Sequence, residues 1–216
     1  MNKSGHRILF ISNGYGEDLI AAQIIKNLTL EPGMDIRALP IVGTGAAYTA
    51  VDIPLIIGGR NLPSGGFVRN GLGNLVMDLR AGLFSLTVSQ IRALRQARPE
   101  VDLAVCVGDN YLTILAGFFL RRPIIFLPTA KSDYVSEHWP VERWLMRRFC
   151  DKIITRDAVT AASLAGYGLP AEFLGNVMMD CLDYRGDDLK GPENIWTIGI
   201  LPGSRLEAYE NMEDIG

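Results

Sequence analysis

Short runs of apolar and β-branched residues alternate with helical patterns along most of the chain, and this alternation constrains the fold more than any other feature. Seven such runs cover residues 6–12, 35–42, 53–59, 101–108, 122–129, 151–157 and 171–175. Continuous apolar runs such as LAVCV and IIFL are typical of strands that are buried on both faces, and the intervals leave room for crossover helices. The sequence therefore predicts an α/β fold with a doubly wound, Rossmann-like parallel sheet.

The composition changes after residue 176. Residues 177–194 are polar, rich in Asp and interrupted by Gly and Pro, as an interdomain linker would be. The stretch "IWTIGILPGSR" then begins a new strand, turn and helix. We expect residues 1–176 to form an N-terminal domain and residues 195–216 to begin a second α/β domain, because one strand and one short helix cannot bury a core. An extra edge element of the first domain is the alternative.

The charge balance and the few Cys and His residues argue against several classes of function. The chain has 21 Lys+Arg against 24 Asp+Glu, a formal net charge of -3, whereas proteins that bind nucleic acid usually carry excess positive charge. Its 3 cysteines lie far apart without a C-x-x-C pair, and it has 2 histidines. The sequence therefore predicts neither a disulfide framework nor a metal site, and we expect a cytoplasmic protein.

The first glycine turn, in "NGYGEDL", has an unusual charge for its position. In doubly wound sheets, ligands bind beyond the carboxyl ends of the strands. The turn has Gly14 and Gly16, but Leu19 where the dinucleotide fingerprint requires a third glycine. Glu17 and Asp18 follow at the start of the helix, where a phosphate would bind. We expect this loop to bind hydroxyl groups rather than phosphate; capping of the helix by acidic residues, with no ligand, is the alternative.

Two later loops also follow buried strands. Asp109 comes directly after the run 101–108 and before a helical pattern that begins at Asn110. An aspartate at this position can act as a general base on a sugar or lipid hydroxyl, and it can equally cap the helix. Lys131 and Ser132 follow the next strand in a polar and aromatic loop, which we expect to line a ligand cleft.

The stretch "LPGSR" has the residue types that bind phosphate. Gly203 lets the backbone approach a ligand, Ser204 donates a hydroxyl, and Arg205 offers a planar charged fork. The sequence therefore predicts that phosphate binds at this later turn.

The segment 64–100 is apolar and basic, with five Arg against one Asp and one Glu. Its apolar residues recur at helical intervals, which predicts a crossover helix that covers the sheet. An apolar face flanked by arginines is also typical of a surface helix on anionic lipid. Peripheral contact with the inner face of a membrane through residues 64–98 is therefore the alternative.

Together, these loops resemble the lipid-A-disaccharide synthase family, two-domain glycosyltransferases of the GT-B type, and more narrowly its "lipid-A-disaccharide synthase-related" branch. The resemblance runs in order through "GYGEDLIAAQIIKNL", "PEVDLAVCVGDNYLTILAG", "EFLGNVMMDCL" and "LPGSR". The last two motifs are the most specific at this separation. The sheet of this chain would then be that of a GT-B N-terminal domain.

The resemblance implies a metal-independent enzyme that transfers a sugar, with inversion, from a nucleotide-diphosphate donor to a lipid-linked acceptor. The nucleotide sugar is then a co-substrate, and no cofactor is needed. The implied site residues are Asp109 as the base, Gly14, Gly16, Glu17, Asp18, Asn110, Lys131 and Ser132 as acceptor contacts, and Gly203, Ser204 and Arg205 as donor phosphate contacts. Cys106 replaces a further aspartate of the family. Because about half of the family's length is absent, we expect this chain alone to be inactive.

Two other functions fit the same fold. A sugar-nucleotide 2-epimerase shares the two-domain plan and would convert a sugar nucleotide without an acceptor. A non-catalytic module would bind a glycolipid or a partner and release no product. The architecture alone does not distinguish these functions, because it supports many activities.

Overall fold

The computed structural model describes residues 6–28, 33–57, 83–182, 198–200 and 212–213. The strands are β1 (Arg7–Ser12), β2 (Asp35–Pro40), β3 (Leu103–Gly108), β4 (Ile124–Pro128), β5 (Lys152–Ile154) and β6 (Ala171–Glu172). The helices are α1 (Tyr15–Asn27), α2 (Ala46–Thr49), α3 (Leu83–Ala97), α4 (Asn110–Leu115), α5 (Pro140–Phe149) and α6 (Ala158–Gly166). A π-helical turn, Ala116–Leu120, continues α4, and short 3-10 turns cover Arg98–Glu100 and Met179–Cys181.

The six strands form one sheet in the order β2-β1-β3-β4-β5-β6, and every neighbouring pair is parallel. The predicted doubly wound parallel sheet is therefore confirmed. From β1 the chain passes to β2 on one side, and it then returns to place β3 on the other side of β1. The winding thus reverses between β1 and β3, and the crevice at such a switch point is where α/β sheets of this kind bind ligands.

The prediction of a strand at residues 53–59 is wrong for the part that the structure describes. Leu55 forms only an isolated parallel bridge with Ala38. Ala38 donates to the carbonyl of Pro54, and Ile56 donates back to Ala38. Pro54 has no N–H group with which to extend this pairing, so the apolar run ends as a single bridge beside the edge strand β2.

Alternate residues of the strands face two separate cores. On β1, Leu9 and Ile11 point into one buried cluster and Phe10 into the other. Helix α1 covers the Phe10 face with Ile20, and α3 covers the Leu9 face with Leu94, which is fully buried. Burying a leucine in this way stabilises the fold by about 2 kcal/mol. The predicted role of a crossover helix that covers the sheet is thus confirmed for α3.

The chain divides into two compact units, Met1–Leu182 and Asp183–Gly216. The first contains the whole sheet. In the second, residues 198–200 belong to no strand and residues 212–213 are helical. Most of the predicted linker at 177–194 and of the predicted second-domain start at 195–216 lies outside the described residues, and both stay predictions.

Across the described parts of the chain, every helix is too short or too polar to span a bilayer. Residues 64–82 of the segment considered for lipid contact lie outside those parts. Peripheral contact through residues 64–98 therefore stays a prediction.

Candidate functional site

The carboxyl ends of β1 and β3 approach closely at the switch point. Asn13 follows β1, Gly108 ends β3, and Asp109 comes next in the chain. Gly108 has a φ of +146°, and a Cβ at this position would overlap Oδ1 of Asn13. A glycine is therefore required at residue 108. This close approach lets the side-chain amide of Asn13 donate a hydrogen bond to the carboxylate of Asp109.

Asp109 is half-buried and begins α4. Its Oδ1 accepts a hydrogen bond from the backbone N–H of Tyr111 at 2.9 Å, so the side chain is the N-cap of the helix. Burial raises the pKa of Asp109 above its ordinary value, although the hydrogen bonds from Tyr111 and Asn13 act in the opposite direction. A capping carboxyl group can still exchange a proton. The two roles considered for Asp109, cap and base, are therefore compatible.

Two amide oxygens of this region have no hydrogen-bond partner among the described residues. They are Oδ1 of Asn13 and Oδ1 of Asn110, and both atoms are buried. A buried polar atom without a partner costs free energy, and native proteins keep few of them. Both oxygens keep unused acceptor capacity, which a ligand hydroxyl or amide can reach once the side chain rotates into the crevice. Asn13 is not among the site residues predicted from the sequence, although it lies in the loop "NGYGED" directly after a strand.

Asp18 is buried between the end of β1 and α2. Oγ of Ser12 donates to Oδ1 of Asp18 at 2.5 Å, and the same Oγ lies 2.5 Å from the hydroxyl of Tyr48. The Asp18 residue is 2% exposed. Burial raises the pKa of Asp18 to about 6; the hydrogen bond from Ser12 lowers it, and the nearby charge of Glu17 raises it. Asp18 thus already serves one hydroxyl, that of Ser12, and its binding of an acceptor hydroxyl stays a prediction.

The side chain of Glu17 folds over the glycine turn. A Cβ on Gly14 would overlap Oε2 of Glu17, and Oε1 of Glu17 lies 3.5 Å from Oγ1 of Thr129. Gly16, by contrast, has open space at its Cβ position. The carboxylate of Glu17 therefore covers the start of α1, where the helix dipole favours negative charge. A ligand phosphate would compete with this carboxylate for the same place.

The loop after β4 contacts the next two helices through Lys131 and Ser132, the two residues predicted to line a cleft. Nζ of Lys131 pairs with Oε2 of Glu142 on α5 at 2.7 Å. Oγ of Ser132 donates to Oδ2 of Asp157, the N-cap of α6, at 2.7 Å. Both side chains therefore have structural partners, and their contact with an acceptor stays a prediction.

A second cleft of about 260 Å³ opens beside the carboxyl ends of β4 and β5. Arg156, two residues after β5, donates from Nη1 to the carbonyl of Thr129 at 3.1 Å. Residues 174–178, from the quoted "FLGNVMM" stretch, form the opposite wall and include Asn176. That stretch is one of the motifs noted in the sequence, whereas Arg156 is not among the predicted site residues. The signal that identifies it is a basic residue just beyond the strand in "IITRD".

Cys106, the position at which the sequence departs from the family, lies inside the core. The residue is 0% exposed on β3 and belongs to the same cluster as Leu9 and Ile11. Burial raises the pKa of its thiol well above the ordinary value. The side chain at this position therefore packs in the core rather than at the carboxyl edge of the sheet.

The predicted phosphate contacts Gly203, Ser204 and Arg205 lie outside the described residues. Their role therefore stays a prediction. Within the described part of the chain, no three His, Cys, Asp or Glu side chains are grouped so that they could bind a metal ion.

Two solved structures share this fold over most of the chain. The UDP-GlcNAc 2-epimerase from Neisseria meningitidis, solved with bound UDP-GlcNAc, has a TM-score of 0.54 and 14% identity, over 81% of this chain and 48% of its own. A second UDP-N-acetylglucosamine 2-epimerase has a TM-score of 0.52 and 12% identity, over 82% of this chain and 50% of its own. This chain therefore spans about half of their length. No protein-family model and no curated protein matches the sequence.

At these identities the similarity shows the fold. It confirms the predicted Rossmann-like α/β class with a parallel sheet. The narrower resemblance to lipid-A-disaccharide synthases rests on the sequence motifs alone.

Proposed function

We propose that this chain contributes the sugar-binding part of an enzyme that acts on a nucleotide-diphosphate sugar, with Asp109 as its acid–base group. The observation that supports this most is the half-buried carboxyl of Asp109, with its raised pKa, next to the unpartnered amide oxygens of Asn13 and Asn110. A sugar ring presents several hydroxyl donors within a small volume, and these can satisfy such oxygens. The position at the β1/β3 switch point is where doubly wound sheets bind ligands.

In this proposal the diphosphate binds away from the first glycine turn. Glu17 already covers the start of α1, and its carboxylate would repel a phosphate there. We assign the donor phosphates to Gly203, Ser204 and Arg205, because a glycine backbone, a hydroxyl and a guanidinium fork suit phosphate oxygens.

A 2-epimerase-like reaction is the first candidate, because the two structures that share the fold with TM-scores of 0.54 and 0.52 are both UDP-GlcNAc 2-epimerases. Inverting carbon 2 of a sugar requires a bond at that carbon to break and to form again on the other face. A carboxyl with a raised pKa can carry the proton that such a step removes and returns. No acceptor is needed.

Glycosyl transfer is the second candidate, and the motifs "FLGNVMMD" and "LPGSR" favour it. Here Asp109 accepts the proton of an acceptor hydroxyl while the hydroxyl oxygen bonds to the anomeric carbon. The bond from that carbon to the diphosphate breaks, and the diphosphate leaves with the electron pair. The acceptor contacts in this case are Gly14, Gly16, Glu17, Asp18, Asn110, Lys131 and Ser132, and the acceptor is lipid-linked.

One experiment separates these functions. The protein that carries this chain is incubated with UDP-GlcNAc, with and without a lipid-linked sugar acceptor, and the sugar protons are followed by NMR. A product inverted at carbon 2 without acceptor supports the epimerase, and acceptor-dependent release of UDP supports the transferase. Saturable binding of a glycolipid without product would favour the non-catalytic module. Absence of any UDP-GlcNAc binding contradicts the proposal.

A further inference from the structure

A cleft of about 510 Å³ lies at the amino edge of the sheet, opposite the end that carries Asp109. It is bounded by the end of the π-helical turn, by the residues just before β4, and by the end of α5. Its lining includes Phe118, Arg121, Arg122, Arg148, Phe149 and Asp151. Nothing in the proposed reaction uses this cleft.

Three arginines line the cleft, and Asp151 is the one carboxylate among the lining residues. Oδ2 of Asp151 accepts a hydrogen bond from the backbone of Ile124, at the start of β4. None of the three arginines forms an ion pair within the part of the chain that the structure describes. The cleft therefore has an excess of positive charge in a protein whose net charge is -3.

The hydrogen bonds of these arginines leave much of their donor capacity unused. Arg121 donates from Nε to the carbonyl of Phe118, and Arg122 donates from Nε and Nη2 to the carbonyl of Arg98. The guanidinium of Arg148 lies over the ring of Phe149, with its carbon 5.2 Å from the ring centroid. Cations are favoured near helix C-termini, and this effect explains one arginine at the end of a helix. It does not explain why three arginines line one cleft.

Two phenylalanine rings form part of the cleft wall. The rings of Phe118 and Phe149 meet edge to face with their centroids 5.0 Å apart, and Phe118 is 52% exposed. Gly117 permits this packing, because a Cβ there would overlap the ring of Phe149. A guanidinium fork matches phosphate oxygens, and exposed aromatic carbon suits the organic part of an ester.

We propose that this cleft binds a phosphate monoester through Arg121, Arg122 and Arg148, at a site separate from the one that contains Asp109. The phosphate group neutralises their charges, and the organic group packs on Phe118. The same chemistry is present in a soluble sugar or glycerol phosphate and in the phosphorylated headgroup of a lipid.

Two probes distinguish these sources. Glycerol 3-phosphate is titrated into the protein and binding is measured by calorimetry and by NMR shifts of the cleft residues. Vesicles of phosphatidic acid, with phosphatidylcholine vesicles as the neutral reference, are tested by co-sedimentation. Binding of glycerol 3-phosphate shows that a soluble phosphate ester is enough to occupy the site. Binding to phosphatidic acid vesicles without binding of glycerol 3-phosphate assigns the site to a lipid headgroup.

The variants use charge removal with a matched control. Arg121→Gln combined with Arg148→Gln should weaken binding of the effective probe at least about tenfold, because charge-assisted hydrogen bonds are lost. Arg92→Gln, an exposed arginine of α3 that does not line the cleft, should leave it unchanged. If the double variant does not fold, as judged by circular dichroism, Arg121→Gln alone provides the comparison. Failure of both probes to bind, or equal binding by the cleft variants and the wild type, overturns the proposal.

Discussion

Oδ1 of Asn13 lies in the space that a Cβ on Gly108 would need, so the ends of β1 and β3 can approach only because residue 108 is a glycine. The same approach allows the Asn13 amide to donate to Asp109. Packing at the switch point and the environment of the proposed acid–base group therefore depend on one pair of residues.

Replacement of Gly108 by alanine should destabilise the protein strongly. The new Cβ would overlap Asn13, and the φ of +146° is unfavourable for any other residue. We expect the free energy of unfolding to fall by about 3 kcal/mol, measured by urea denaturation. Gly168→Ala is the matched control, because Gly168 has a φ of +74° but open space around its Cβ position; its cost should be about 1 kcal/mol. Equal costs for the two variants would show that the overlap with Asn13 is unimportant.

Asp109→Asn should remove activity but not the fold. Asparagine caps a helix as well as aspartate does, so the free energy of unfolding should change by less than about 1 kcal/mol. Turnover of UDP-GlcNAc by the protein that carries this chain should fall about 10²- to 10⁴-fold, because asparagine cannot exchange the proton. Asp102→Asn, which removes an exposed ion pair with Arg7 at the other edge of the sheet, is the control and should keep normal turnover. Unchanged turnover in Asp109→Asn excludes the acid–base role.

The stability of the protein should depend on Asp18 between about pH 4 and pH 6. Burial raises the pKa of Asp18 from 3.8 to about 6, so in this window the folded protein holds a proton that the unfolded chain has released. The folded state therefore loses stability as the pH rises. Above pH 6 the ionised carboxylate of Asp18 lowers the free energy of unfolding by about 3 kcal/mol. The stability of Asp18→Asn relative to wild type should therefore rise by about 3 kcal/mol from pH 4 to pH 7. Urea denaturation at each pH measures this difference.

Asp102 provides the control of opposite sign for that measurement. The hydrogen bonds and charge of Arg7 lower the pKa of Asp102 to about 2, so its contribution is present above about pH 4 and is lost as the pH falls. Asp102→Asn should therefore be less stable than wild type above about pH 4, and this difference should shrink as the pH falls toward 2. If Asp18→Asn follows wild type at every pH, Asp18 is not a buried acid with a raised pKa.

Asn110→Ala should separate ligand binding from stability. Its Oδ1 is buried without a partner, so its removal breaks no hydrogen bond among the described residues, and alanine is a good helix former at the start of α4. We expect the free energy of unfolding to stay within about 0.5 kcal/mol of wild type, while the Kd for UDP-GlcNAc rises about fivefold. Calorimetry measures the Kd. An unchanged Kd would remove Asn110 from the sugar site.

Much of the sheet could be predicted from the sequence, because strands buried on both faces appear as uninterrupted apolar runs. β1, β3 and β4 follow "ILFIS", "LAVCVG" and "IIFLP" closely. The run at 53–59 has a similar apolar content, and it forms a single bridge because Pro54 cannot donate a hydrogen bond. Apolar content indicates burial, whereas strand pairing also requires N–H groups at the correct positions.

The candidate site was less predictable, because its geometry depends on contacts between distant segments. Glu17 and Asp18 are adjacent acidic residues in the sequence, yet one covers the glycine turn and the other is buried beside Ser12 and Tyr48. The distance of 36 residues between Ser12 and Tyr48 hides that partnership from local patterns. Asn13 is equally inconspicuous, since its importance arises from the absence of a side chain at Gly108.

The most direct test of the account is a crystal structure of the protein that carries this chain with UDP-GlcNAc bound. We expect the sugar hydroxyls to contact Asp109, Asn13 and Asn110, with no phosphate at the first glycine turn. Diphosphate oxygens bound to the backbone N–H groups of residues 14–18 would contradict it.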